Sequence, residues 1–66
     1  MVVKINGQSA ELETGMDLER LLVAYRLKKD QVVVELNRRV PAKESYASIR
    51  LADGDEVEIV KFMGGG

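Results

Sequence analysis

The side chains that most often carry catalysis are missing from this chain. It has no cysteine and no histidine, so the common nucleophile–base pairs and the usual zinc ligand sets cannot be assembled. The serines Ser9, Ser45 and Ser48 have no evident base. Asp53-Gly54-Asp55-Glu56 looks like a fragment of a calcium loop but lacks the full ligand spacing, and it reads as a solvated turn. A phosphate-binding loop needs a strand before its glycines and a helix after them. The one glycine run, Gly64-Gly65-Gly66, is terminal and does not fit that pattern.

That leaves the terminal carboxylate of Gly66 as the candidate reactive group. An α-carboxyl with a reference pKa of about 3.3–3.7 is ionised at neutral pH and is a poor electrophile. Joined to AMP it becomes a mixed anhydride with a good leaving group. A sulfur nucleophile can then displace AMP and leave a thiocarboxylate, itself a strong, soft nucleophile. Glycines suit such an end because, without Cβ, they allow another backbone to approach closely. Three extended residues reach roughly 10 Å, enough to enter a narrow partner channel. A frayed end has the same composition, so the tail alone leaves both readings open.

The rest of the chain must hold that end out, and its length of 66 residues allows one domain at most. An apolar content of 45% supports one compact core, which must be stable without a disulfide. Ten basic and 11 acidic residues give a net charge of −1, which argues against a nucleic-acid partner. No apolar run approaches membrane-spanning length, and Met1-Val2-Val3-Lys4 does not open like a signal peptide. A soluble cytoplasmic protein without bound cofactor or metal is expected.

The elements follow from periodicity. Met1 to Ile5 suits a strand, and Asn6-Gly7 is a strong hairpin signal. Gln8 to Glu13 returns as the second strand, with Ala10 and Leu12 inward. Asp17 is placed to cap a helix, and Leu18, Leu21, Leu22 and Tyr25 form its apolar stripe, ending near Arg26 or Leu27. Gln31 to Leu36 alternates as a strand, with Val32, Val34 and Leu36 on one face. Asn37-Arg38-Arg39 reads as a turn, Ala42 to Ser48 as a polar stretch with room for a helical turn, and Glu56 to Phe62 as the last strand. This order predicts a two-layer α+β domain with the first and last strands parallel.

The run Val32-Val33-Val34-Glu35-Leu36-Asn37-Arg38-Arg39-Val40-Pro41 resembles the central segment of the ThiS family of sulfur carriers. Leu51-Ala52-Asp53-Gly54-Asp55-Glu56-Val57-Glu58-Ile59-Val60 resembles that family's last turn and strand, leading through Lys61-Phe62-Met63 to the glycines. Asp17-Leu18-Glu19-Arg20-Leu21-Leu22 and the length also match, so the similarity covers essentially the whole chain. Met63 departs mildly, standing where a small or β-branched residue is frequent.

The resemblance implies a β-grasp, ubiquitin-like fold, with a mixed sheet of four to five strands on one main helix. The domain would span residues 1–63, with 64–66 as a flexible tail. It implies ATP-dependent adenylation of Gly66 by a ThiF-type enzyme and conversion to a thiocarboxylate through a sulfur donor protein. Delivery to a ThiG-type thiazole synthase in thiamine biosynthesis would follow. The chain is then a cosubstrate and not an enzyme, and ATP is used by its activating partner. Gly65 and Gly66 match the family's terminal pair, and Gly64 an additional glycine.

Alternation in the last strand puts Val57 and Ile59 on one face and Val60 and Phe62 on the other. Val60 and Phe62, extended by Val33, then form a docking patch beside Gly64 and Gly65, unless a bulge returns them to the core. Arg38, Arg39 and Lys43 form a candidate basic cluster, weighed against plain solvated surface. Two other functions share these features: a carrier for another pathway, such as the small subunit of molybdopterin synthase, and a ubiquitin-like module that binds without covalent chemistry.

Overall fold

The computed structural model describes residues 1–62. The expected tail, Gly64 to Gly66, lies outside the described residues.

β1 (Val2–Ile5) and β2 (Gln8–Glu11) form an antiparallel hairpin closed by Asn6 and Gly7. Their φ angles of +52° and +82° are the left-handed pair that a type I′ turn requires. The chain then enters α1 (Leu18–Ala24), where the Asp17 carboxylate accepts the Arg20 N–H at 2.7 Å. That bond satisfies one of the free donors at the helix start. A 3₁₀ turn (Lys29–Gln31) leads into β3 (Val32–Leu36). A second 3₁₀ segment (Lys43–Ser48) precedes β4 (Glu56–Lys61).

The strands form one sheet in the order β2-β1-β4-β3. β1 and β4 run parallel as expected, and β4 pairs antiparallel with β3. Among the described residues the strand count of four falls within the expected range. The helix covers one face, where Val3, Ile5, Val32, Val34 and Val57 meet Leu18, Leu21, Leu22, Tyr46 and Leu51. Leu18 N–H donates to the Ile49 carbonyl, and Leu51 N–H to that of Met16. These bonds tie the helix start to the segment before β4.

Two expectations about the core need correction. Tyr25, expected in the core or at its boundary with the hydroxyl in water, does not complete the buried stripe: it is the C-cap residue and is 45% exposed. Arg26 follows at φ +59° and turns the chain. Its N–H donates to the Val23 carbonyl at 2.9 Å, and that of Leu27 to Leu22 at 2.8 Å, which is a Schellman motif. Leu27, partly buried, packs against the core where Tyr25 was expected. Second, the polar stretch 42–48 supplies a central core residue. Tyr46, on the 3₁₀ segment, is only 1% exposed.

Arginine in a left-handed cap is unfavourable, because its Cβ crowds the following carbonyl. Glycine avoids that contact but loses more entropy on folding. Arg26→Gly is therefore expected to stabilise the fold by about 0.5 kcal/mol, raising Tm by about 2–4 °C in a domain of this size. Thermal melts followed by circular dichroism check it.

Burial pushes the Tyr46 phenol above its usual range, with a backbone hydrogen bond from Val34 and the Lys29 charge pulling the other way. The folded pKa exceeds the unfolded one, so this contribution is complete below about pH 10 and is lost as pH rises. The exposed Lys29 is raised by its hydrogen bond and ion pair with Glu19, which fades over the same alkaline range. Urea midpoints are expected to fall above about pH 10. In Tyr46→Phe that fall should be shallower.

Candidate functional site

The chemistry expected of this chain starts where β4 ends. Val57 is fully buried and Ile59 partly so, while Val60 is 61% and Phe62 41% exposed. The strand therefore turns Val60 and Phe62 away from the helix, as alternation requires. The bulge that could have returned them to the core is absent. β3 and β4 pair without interruption from Leu36↔Val57 to Val32↔Lys61. Phe62 prolongs the pairing, its N–H donating to the Gln31 carbonyl at 3.1 Å.

Val33 and Val60 are direct cross-strand partners and both are exposed. Together with Phe62 they form one apolar patch at the end of the sheet where the chain leaves toward Met63. The Lys43 ammonium lies 5.6 Å from the centre of the Phe62 ring, within cation–π range. This restrains the ring and places a positive charge at the foot of the tail.

The other end of this outer face is acidic. Glu35 and Glu58 are exposed and directly opposite each other. Like charges in that position destabilise a sheet. Glu56 follows on β4 and is paired in register with Lys4. The open face thus changes from carboxylates to hydrocarbon as it approaches the tail.

The basic cluster expected at Arg38, Arg39 and Lys43 is divided. Lys43 stands over Phe62, whereas Arg38 and Arg39 sit in the turn at the far end of β3, where Arg39 bridges to Leu36. The candidate acidic turn is structural. Asp53 accepts the Val2 N–H at 2.7 Å, and Asp55 accepts those of Ala52 at 2.7 Å and of the Asn37 side chain at 3.0 Å. Among the described residues no group of acidic side chains could hold a metal ion.

Asn37 was read only as part of a turn, yet it organises this end of the sheet. Its Oδ1 accepts the Glu56 N–H at 3.0 Å, and its own N–H donates to the Glu56 carbonyl at 2.8 Å. Asparagine at the first position of a type I′ turn is a usable signal. Here an arginine rather than a glycine follows it and masks the pattern.

Gly64, Gly65 and Gly66, the expected thread and its reactive end, lie outside the described residues. The structure thus describes the apolar patch, Val60 and Phe62, up to the foot of that thread.

Comparison with known proteins places these features in a family context. The ThiS family model matches residues 3–66, through the last glycine. The sulfur carrier protein ThiS of Bacillus subtilis is 37% identical over 98% of this chain and 100% of its own length. A thiazole synthase of Paramagnetospirillum magneticum is 39% identical over the whole of this chain, which spans only 20% of that relative's length. The crystal structure of the thiamine biosynthesis protein ThiS from Geobacter metallireducens superposes with a TM-score of 0.84 at 33% identity, covering 100% of both chains. The shared architecture is the expected β-grasp fold.

Proposed function

The chain belongs to the ThiS family, and from that premise we propose that it is a sulfur carrier in thiamine biosynthesis. It acts as a protein cosubstrate, and its reactive group is the carboxylate of Gly66. The observation that carries the reading is the family match extending through the glycine run to residue 66. The exposed Val60 and Phe62 at the foot of that run support it.

An activating enzyme of the ThiF type brings the Gly66 carboxylate to ATP. The carboxylate oxygen attacks the α-phosphorus, pyrophosphate leaves, and an acyl-adenylate forms. A sulfur nucleophile from a donor protein then adds to the acyl carbon and AMP departs. With a persulfide donor the product is an acyl disulfide. A thiol then attacks the donor's sulfur, which leaves a disulfide between that thiol and the donor and releases the thiocarboxylate. The thiocarboxylate sulfur passes to a ThiG-type thiazole synthase.

The chain's residues supply reach and orientation. Gly64 and Gly65 form a thread without side chains, while Val60, Phe62 and Val33 seat the body against the partner. ATP is bound by the activating enzyme, and the carrier holds no cofactor of its own. The setting is the cytoplasm, without nucleic-acid or membrane partners. No helix among the described residues is long and apolar enough to cross a membrane.

Intact-mass analysis tests the reading. Incubated with ATP, the cognate adenylating enzyme and a sulfur source, the protein should gain the mass difference of sulfur replacing oxygen at its last residue. A carboxylate that is never activated sinks the proposal, as does a working form from cells that does not end at Gly66. The patch is tested separately. Val60→Asp should raise KM for the activating enzyme about tenfold, with kcat nearly unchanged, because it removes binding rather than transition-state contacts.

A further inference from the structure

The 3₁₀ segment Lys43–Ser48 is anchored by Tyr46, which is buried in the core. A backbone hydrogen bond from Val34 reaches the Tyr46 phenol, so the segment lies against β3. Side chains three residues apart on a 3₁₀ helix eclipse one another. Lys43, three residues before Tyr46, therefore leaves the segment on the same side as its anchor. Lys43 is half-buried, and its ammonium stands over the Phe62 ring, 5.6 Å from the centre.

Phe62 is the last of the described residues, and the chain leaves from it toward Met63. Its N–H donates to the Gln31 carbonyl at 3.1 Å, which carries the β3–β4 pairing one residue beyond Lys61. The ring is 41% exposed, so packing against the core does not hold it. A cation over its face is attracted by the ring quadrupole. Two contacts thus fix the foot of the tail: the Gln31 bond holds the backbone of Phe62, and the Lys43 charge holds its side chain.

We propose that Lys43 is a positioning residue for the reaction at Gly66: by fixing Phe62 before docking, it makes the tail approach the activating enzyme in one direction. The inference rests on the sulfur-carrier reading. Four residues carry the chain from Phe62 to Gly66, a reach of roughly 14 Å when extended. A swing of about 10° at Phe62 moves the far end by about 2 Å. Narrowing that spread in the free protein leaves less ordering for the enzyme to supply on insertion. Lys43 acts through Phe62 and not on the reacting carboxylate.

Nuclear magnetic resonance and steady-state kinetics on the full chain test the proposal. Phe62 is the chain's one phenylalanine, so its ring resonances are readily assigned. The ε-methylene protons of Lys43 should be shifted upfield by the ring current, and Phe62→Leu should abolish that shift. In pyrophosphate release by the cognate activating enzyme, Lys43→Met should lower kcat about two- to fivefold, the strength of an exposed cation–π contact. Its KM should stay near the wild-type value, the reverse of Val60→Asp, because seating of the body is untouched. Lys43→Arg keeps a cation that stacks on the ring and should restore the rate. In a Phe62→Leu background, Lys43→Met should cost nothing further.

The positioning role is overturned if the upfield shift is missing, or if Lys43→Met lowers Tm without changing kcat. It is equally overturned if Lys43→Arg is as slow as Lys43→Met, or if the loss persists without the Phe62 ring. Failure of the carrier reading looks different: the wild type itself then releases no pyrophosphate, and the role falls with it even where the upfield shift is present.

Discussion

Replacing Tyr46 by alanine is expected to cost about 3–5 kcal/mol, the range for truncating a large buried aromatic side chain. Tyr46 is 1% exposed and heads the fully buried side chains by volume. A domain of 66 residues, at roughly 0.05–0.15 kcal/mol per residue, has only about 3–10 kcal/mol in total. With no disulfide to restrain the unfolded chain, Tyr46→Ala should sit at or near its unfolding midpoint at room temperature. Urea denaturation followed by circular dichroism measures it. Tyr46→Phe retains the ring and gives up only the hydroxyl, so its loss should be about 1 kcal/mol. If the alanine variant lost no more than the phenylalanine variant, the 3₁₀ segment would not be the core element described above.

That residue marks where the sequence stops being legible. Strands can be read because side chains alternate: Val32 and Val34 against Val33 and Glu35, and Val57 against Val60 and Phe62. The Asn6-Gly7 hairpin and the Asp17 cap can be read because turn and cap chemistry is local. A 3₁₀ segment of six residues is too short to establish a repeat. Tyr46, set between Ser45 and Ala47, therefore carries no periodic signal. Tyr25 misleads for the opposite reason. It continues the helical spacing, but the left-handed Arg26 ends the helix, and Leu27 fills the core position. The basic cluster divides because Arg38, Arg39 and Lys43 are close in sequence, while the chain between them passes from one end of β3 toward the other. At the candidate site, strand parity turns Val60 and Phe62 outward, and the uninterrupted β3–β4 register excludes the bulge that parity left open. Their role beside Gly64, Gly65 and Gly66 comes from the order of motifs, because the glycines have no side chains whose contacts could reveal it.

Appending a single alanine after Gly66 is expected to abolish activation, with the rate of adenylate formation falling at least about a thousandfold. One added residue moves the carboxylate by roughly 3.5 Å along an extended chain. A displacement of about 1 Å from reacting geometry can already cost about a hundredfold. The added Cβ also widens the thread at its tip. Stability should not change, because among the described residues the buried core lies at or before Val57. The melting curve of the extended protein then serves as its own folding control. Gly65→Val keeps the carboxylate at the correct length and adds only bulk, so its loss should be smaller, about a hundredfold, and should appear mainly in kcat. Val60→Asp should act on KM instead, which separates seating of the body from insertion of the tail. Acyl-adenylate formation is monitored through the pyrophosphate it releases, and the product by intact mass. An extended protein that acquires sulfur at the normal rate, with its extra alanine still attached, would show that the reactive carboxylate is not that of Gly66.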